Sequence, residues 1–433
     1  MIKLMLMAGL LYLVGCSDQL MMGEEVRKVE AIHVESAVEE DSEDSEDSEE
    51  SLLSQLMNSG VRLTPGFSVD DFLEDFDYMI KQLHRYYPFL GVLDRTHGVD
   101  INELAQANRE IIQRYYSHRS NNLSPTDLAW LLDHYFLPYF NGMGHLSVSG
   151  IPGGTTSGPA SGVVVVEGRV LAETRTMTTK VIEEGRIAYI HASSFMERTS
   201  GQFFRDFFEY IGDFEHLIID LRGNAGGFPM GYIAGLIEPL LVEDRYIESL
   251  AFVTQLQHGE ERIREAAWMH HGRVDGSMNT GFRPVDELLP IVGLTRGEIA
   301  DIDSFIYGSR FVYSFTANRR RNPETFNVEV APLFAGKVWL IIEEVNASAS
   351  SMFARFMRDL ELATLVGQQQ RGALGGWRTG FYLPHTNMRV SYDAVNLSNS
   401  AGVSFEEDLV GPHIVTNIPM TEILRRIEAG EYE

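Results

Sequence analysis

Cysteine is almost missing from this chain: Cys16 is the single one in 433 residues, which excludes an intramolecular disulfide. Basic residues are scarce as well. Against 62 Asp and Glu stand 35 Lys and Arg, a formal charge of −27, so no basic field exists to neutralise phosphates and nucleic acid is excluded as a partner. Arg319-Arg320-Arg321, beside Asn322-Pro323, is the main local exception and reads as a solvated turn. Long apolar runs are lacking too, since Leu4 to Val14 is too short to cross a bilayer as a helix, which takes about 20 residues. The acidic excess is concentrated in the low-complexity run Glu39 to Glu50. Such a run repels itself and has no apolar face to bury, so residues 16–62 are expected to form an extended, disordered tether.

Lys3, the apolar run after it and Leu13-Val14-Gly15-Cys16 read together as an export signal over residues 1–15. Leu-Val-Gly-Cys resembles the bacterial lipobox, which implies that Cys16 is acylated and becomes the first mature residue. Ser17 after it, rather than an aspartate, resembles lipoproteins sent to the outer membrane. The expected location is therefore the bacterial cell envelope, with a lipid anchor in the membrane.

The remaining length suits one large domain preceded by a small helical one. Ser68 and Asp71 cap an amphipathic stretch with apolar residues at Phe72, Leu73, Phe76, Met79, Ile80 and Leu83, which Pro88 stops. A second helix is predicted over Ile101 to Tyr116 and a third from Ser124-Pro125, giving a helical cap over residues 63–125. From Val163 onward short β-type runs appear and then alternate with helical ones, as in His216 to Leu221, Met230 to Leu241, Lys337 to Ile342 and Ser350 to Leu360. The fold class is thus α/β, with a main domain over residues 126–433. Residues 243–330 break the alternation and read as an insertion that could cover a site.

Two strand ends carry chemistry. The run Val338 to Ile342 leads into Ser348-Ala349-Ser350-Ser351, which puts a hydroxyl where a helix begins and where helix N-terminal amides can face a developing negative charge. By itself this is also an ordinary helix start. The run His216 to Leu221 leads into Arg222-Gly223-Asn224-Ala225-Gly226-Gly227, a turn whose glycines let the main chain approach a tetrahedral intermediate and which is otherwise just tight.

Taken together with Gly144-His145, Gly185 to Ile190 and Glu406 to Pro412, which occur in the same order, these segments resemble the C-terminal processing (tail-specific) and tricorn-type serine peptidases. The resemblance runs from about Leu128 to about Thr421 and implies a crotonase/ClpP-like αβα spiral of stacked sheets with flanking helices. Only 40 positions separate His145 from Gly185. A peptide-binding PDZ module needs roughly twice that, so none is expected.

The resemblance implies Ser348 as nucleophile, with the N–H groups of Gly226 or Gly227 and of Ala349 as oxyanion donors. In the processing-peptidase branch a lysine in the register of Ala373 would be the base. Gly367 to Gly376 holds no lysine, and Arg371 cannot serve because guanidinium does not deprotonate. The tricorn-type branch implies instead a histidine and a glutamate, for which His145 and Glu406 stand in register, with Glu407 beside the latter. His145 would be general base and acid, and Glu406 would orient it directly or through another group. Two departures from the family pattern, Met143 for an aspartate and Ser351 for an acidic residue, favour the alternative of an inactive relative that binds peptide or an apolar ligand in the same cleft. A scaffold lipoprotein would need none of the three residues to converge. The expected activity is hydrolysis of peptide or protein substrates through an acyl-enzyme, without metal or organic cofactor.

Overall fold

The computed structural model describes residues 66–116, 123–149, 166–197, 201–228, 232–254, 281–321 and 328–432. The expected export signal, Cys16 and the expected acidic tether lie outside these residues. Among the described residues no helix is long and apolar enough to cross a membrane.

Helices come first: α1 (Val69–Tyr86), α2 (Leu90–His97), α3 (Ile101–Tyr116) and α4 (Pro125–Tyr135). Strands β1 (Ser147–Val148), β2 (Arg169–Glu173), β3 (Met177–Glu183) and β4 (Ile187–Ala192) follow, then α5 (Gly201–Ile211) and β5 (His216–Asp220). Next are β6 (Arg245–Val253), β7 (Arg283–Pro284), α6 (Val285–Val292), β8 (Tyr307–Phe315), β9 (Arg319–Arg321) and β10 (Val328–Val330). The chain ends with β11 (Lys337–Ile342), α7 (Ala349–Asp359), β12 (Thr364–Gly367), β13 (Gly376–Tyr382), β14 (Arg389–Asn399), β15 (Ile414–Val415) and α8 (Met420–Glu428).

The mixed α/β fold with leading helices agrees with the sequence reading. Ser68 and Ser124 each complete a reciprocal capping box with the aspartate three residues on, which fixes the starts of α1 and α4. Helix α2 has no such signal at its start and is marked only by Gly98 in the left-handed region at its end. Between Ile233 and Leu240 the chain makes a π turn and a 3-10 turn around Pro239 in place of the regular helix expected there, because proline cannot donate the bond that would continue it.

One sheet has the order β15-β12-β11-β5-β4-β3-β2, and its five members from β15 to β4 run parallel. Its central strands are buried, β5 from end to end and β11 from Val338 onward, because apolar cores cover both faces. Leu217 and Ile219 point into a core with α5 and α7, while Ile218, Trp339 and Ile341 meet Met420, Ile423 and Ile427 of α8. The second sheet has the order β1-β14-β6-β8-β7, with β13 also on β14. Thus the described part of 243–330 builds sheet framework through β6 and β8.

The four leading helices share one apolar core with β1, β13 and β14. Asp75 of α1, fully buried, accepts the N–H groups of His385 and Thr386 and the Thr386 hydroxyl, which pins the β13–β14 turn to the helices.

Candidate active site

Neighbouring parallel strands end at the same edge of a sheet, so the turns after β5 and β11 meet. The Asn346 amide fastens them by donating to the carbonyls of Leu221 and Asn224 at 2.6 and 3.0 Å. On the other side Asn224 donates to Ala192 O and accepts the N–H of Gly226 at 2.8 Å. Arg222 grips Asp220 and so holds the start of the turn.

Ser348 sits at the N-cap of α7 with φ 58° and ψ −129°. Positive φ in a non-glycine residue is strained and is held only where the surroundings over-determine it. Its own N–H bonds Gly372 O at 3.0 Å, and Gly226 packs beneath it. A Cβ at Gly226, where φ is +105°, would lie 2.7 Å from Ser348 Cβ, 2.8 Å from Ala347 O and 3.0 Å from Ala349 N. Among the described residues neither Gly227 nor Ala349 donates its N–H to a partner. Those two donors, rather than that of Gly226, are the ones left for an oxyanion.

Ser348 is partly exposed, whereas Ser350 and Ser351 are fully buried. Ser351 spends its hydroxyl on Asn346 O at 3.1 Å, and the Ser350 hydroxyl has no partner among the described residues. Only Ser348 of the three is open to a substrate.

His145 comes from the loop between α4 and β1, where Asn141, Gly142, Gly144 and His145 all have positive φ. The tight coil is possible because two of the four are glycines; at Gly144 a Cβ would strike the Phe89 ring at 2.4 Å. Met143, standing in for the family's aspartate, is buried and its carbonyl accepts the Tyr87 hydroxyl at 2.7 Å. The His145 ring is 24% exposed and places Nδ1 2.5 Å from Oδ2 of Asp393, a residue on β14 that sequence reasoning missed. Burial opposes charge on the ring, but the Asp393 carboxylate outweighs it and holds the His145 pKa above the ordinary 6.5. With Nδ1 engaged, Nε2 is the nitrogen available for proton transfer.

Glu406 is buried beside this loop without touching the ring through a hydrogen bond. Its Oε1 accepts the N–H groups of Gly144 and Leu374 at 2.9 and 2.8 Å, and Oε2 accepts that of Ala373 at 3.0 Å. The carboxylate therefore joins the His145 loop to residues 372–374, which in turn hold Ser348. Burial pushes its pKa up to about 7, the Gly144 and Leu374 bonds and His145 pull it down, and the Asp393 charge adds to the rise. Glu407 is turned away and pairs with Arg95. A cavity of about 320 Å³ is lined by Glu406 together with His97, Asn141, Met143 and Arg371 among others; neither Ser348 nor His145 lines it.

A partly exposed hydroxyl on a strained turn, a paired imidazole and two unspent N–H groups constitute the parts for attack on a carbonyl. The family model for peptidase family S41 matches residues 186–416, more than half of the sequence and including both strand-end turns. The chain belongs to peptidase family S41. S41 members are serine peptidases, so this S41 chain carries a serine-peptidase fold with peptide or protein substrates implied by its family. Mature CPAF complexed with lactacystin is similar over 84% of this chain and 97% of its own, at 12% identity and a TM-score of 0.52. A protein of Parabacteroides merdae solved as a candidate peptidase is similar over 83% of this chain and 95% of its own, at 14% identity and a TM-score of 0.50. At these identities the two structures speak for the fold alone. No curated protein sequence matches significantly.

Proposed function

We propose that this S41 chain hydrolyses peptide bonds through an acyl-enzyme on Ser348, with His145 as general base and acid. Ser348 Oγ attacks the scissile carbonyl carbon as His145 Nε2 takes the hydroxyl proton. The resulting oxyanion accepts from the N–H groups of Gly227 and Ala349. On collapse the C–N bond breaks, the amine leaves with the proton from His145, and the acyl group stays on Oγ. Water, deprotonated by the same ring, then releases the acid and restores the serine.

The observation that carries this reading is the backbone of Ser348, held at φ 58° against Gly226 with the unspent Ala349 N–H beside it. Packing alone gives no reason to strain that residue. Ser348→Ala in the full chain should abolish both peptide hydrolysis and covalent labelling by a fluorophosphonate. A label mapped to Ser350, or hydrolysis that survives in Ser348→Ala, would refute the assignment.

We propose further that the enzyme sits in the bacterial envelope, held by acylation of Cys16 rather than by a spanning helix, since Leu13-Val14-Gly15-Cys16 follows a short apolar run. Several acyl chains at one cysteine would hold the protein on a membrane, and the acidic tether would keep the peptidase off an anionic surface by like-charge repulsion.

A further inference from the structure

A general-base histidine works only in one tautomer, with its Nδ1–H donated to an acceptor that also compensates the imidazolium when it forms. Two buried carboxylates stand near His145. Only one meets the ring: Asp393, 4% exposed, lies 2.5 Å from Nδ1, while both oxygens of Glu406 are occupied by the backbone N–H groups of Gly144, Ala373 and Leu374.

The pairing is built into the sheet. Ser147 and Val148 of β1 lie opposite Ser391 and Val390 of β14, and the turn that carries His145 directly before β1 brings its ring to Asp393, two residues further along β14. Strand β13 supports the pair from the other side. Arg378 is the ladder partner of Asp393, and its guanidinium reaches His145 O at 3.4 Å and Ser147 Oγ at 2.9 Å. At Gly375 the missing side chain leaves the space that Asp393 fills, since a Cβ there would lie 2.6 Å from Asp393 Cβ and Oδ2.

We propose that Asp393 is the positioning residue that holds His145 in its Nδ1–H tautomer, and that Glu406 acts through the backbone as the latch between the His145 loop and residues 372–374. The assignment rests on the reading of Ser348 and His145 as nucleophile and base. It departs from the glutamate role that the family resemblance implies for Glu406. The charged and titratable groups facing the ring are Asp393 from β14, Arg378 from β13 and Glu406 from the loop after β14. Tyr87, buried near both carboxylates, has its pKa raised by burial and by their charges and stays neutral. Removing Asp393 therefore deletes the ring's only anionic hydrogen-bond partner among the described residues, whereas removing the Glu406 charge leaves that bond in place.

The test uses the full chain with histidine ring nitrogens labelled, first in a Ser348→Ala background so that no turnover is needed. The His145 Nδ1–H proton should resonate far downfield, and the ring should titrate above 6.5. Asp393→Asn should remove that resonance and lower the ring pKa, Asp393→Glu should restore it in part, and Glu406→Gln should retain it. In the chain with Ser348 intact, Asp393→Asn should lower kcat by about 10²- to 10⁴-fold with little change in KM, and the acid limb of kcat/KM should move to lower pH. An unchanged resonance and ring titration in Asp393→Asn, or their loss in Glu406→Gln, would overturn the proposal. Failure of the peptidase reading is separable: wild-type chain without hydrolysis but with a ring titration that follows Asp393 would remove the activity and support the pairing. Should Asp393→Asn not fold, a wild-type ring that titrates below 6.5 with no downfield proton overturns the proposal by itself.

Discussion

Replacing Glu406 by glutamine tests how a buried carboxylate trades charge against hydrogen bonding. In the folded chain burial raises this carboxyl from 4.5 to about 7. Because the folded pKa lies above the unfolded one, between about pH 4.5 and about pH 7 the folded state keeps a proton that the unfolded state has released, and stability falls as pH rises. The rise corresponds to about 3 kcal/mol, lost almost entirely by about pH 8. Glutamine has no such slope. Its carbonyl can accept the N–H groups of Gly144 and Leu374, but its NH₂ then faces the N–H of Ala373, leaving one buried donor unsatisfied at a cost of about 1–3 kcal/mol at every pH. Urea unfolding of both chains from about pH 5 to about pH 8 should therefore show the wild type ahead in acid, with the gap closing by about 2–3 kcal/mol or reversing towards pH 8. His145 also loses stabilisation as pH rises through its raised folded pKa, but it is present in both chains and cancels in the difference to first order. Parallel curves would show that Glu406 does not titrate in this window. A wild type that gains on the variant with rising pH would mean that the three N–H donors outweigh burial, and the reasoning would fail.

Gly226→Ala should lower kcat by at least about 10²-fold and reduce stability, because its Cβ meets Ala347 O and Ser348 Cβ inside contact distance at a φ that only glycine adopts freely; wild-type turnover would show that this approach does not matter. Ser350→Ala should keep labelling and turnover and cost little stability, since the buried hydroxyl it removes has no partner among the described residues, whereas Ser351→Ala should cost about 1 kcal/mol through loss of the bond to Asn346 O. Cys16→Ser should release the protein from the membrane fraction or leave it unprocessed while peptidase activity persists; wild-type protein in the soluble fraction without a lipid adduct would end the anchor proposal.

The sequence by itself determined what depends on near neighbours along the chain. Capping boxes at Ser68 and Ser124 set helix starts, buried apolar runs announced β5 and β11, and the glycine and serine turns after them marked two parts of one site. Family register added His145 and Glu406, though not what each touches. Tertiary structure decided the rest. The His145–Asp393 contact spans 248 positions and depends on the pairing of β1 with β14 and on the turn before β1, which no local pattern joins; its one trace in sequence is an aspartate inside the apolar run Tyr392-Asp393-Ala394-Val395. Glu406 lies 262 positions from Gly144, and its contacts depend on two loops converging on one buried carboxylate. Strands β6 and β8 likewise became framework only by pairing in a sheet with β14. Periodicity and capping are energies between residues a few positions apart, whereas the partner of a buried charge is chosen by whichever distant element can reach it without leaving a polar group unpaired.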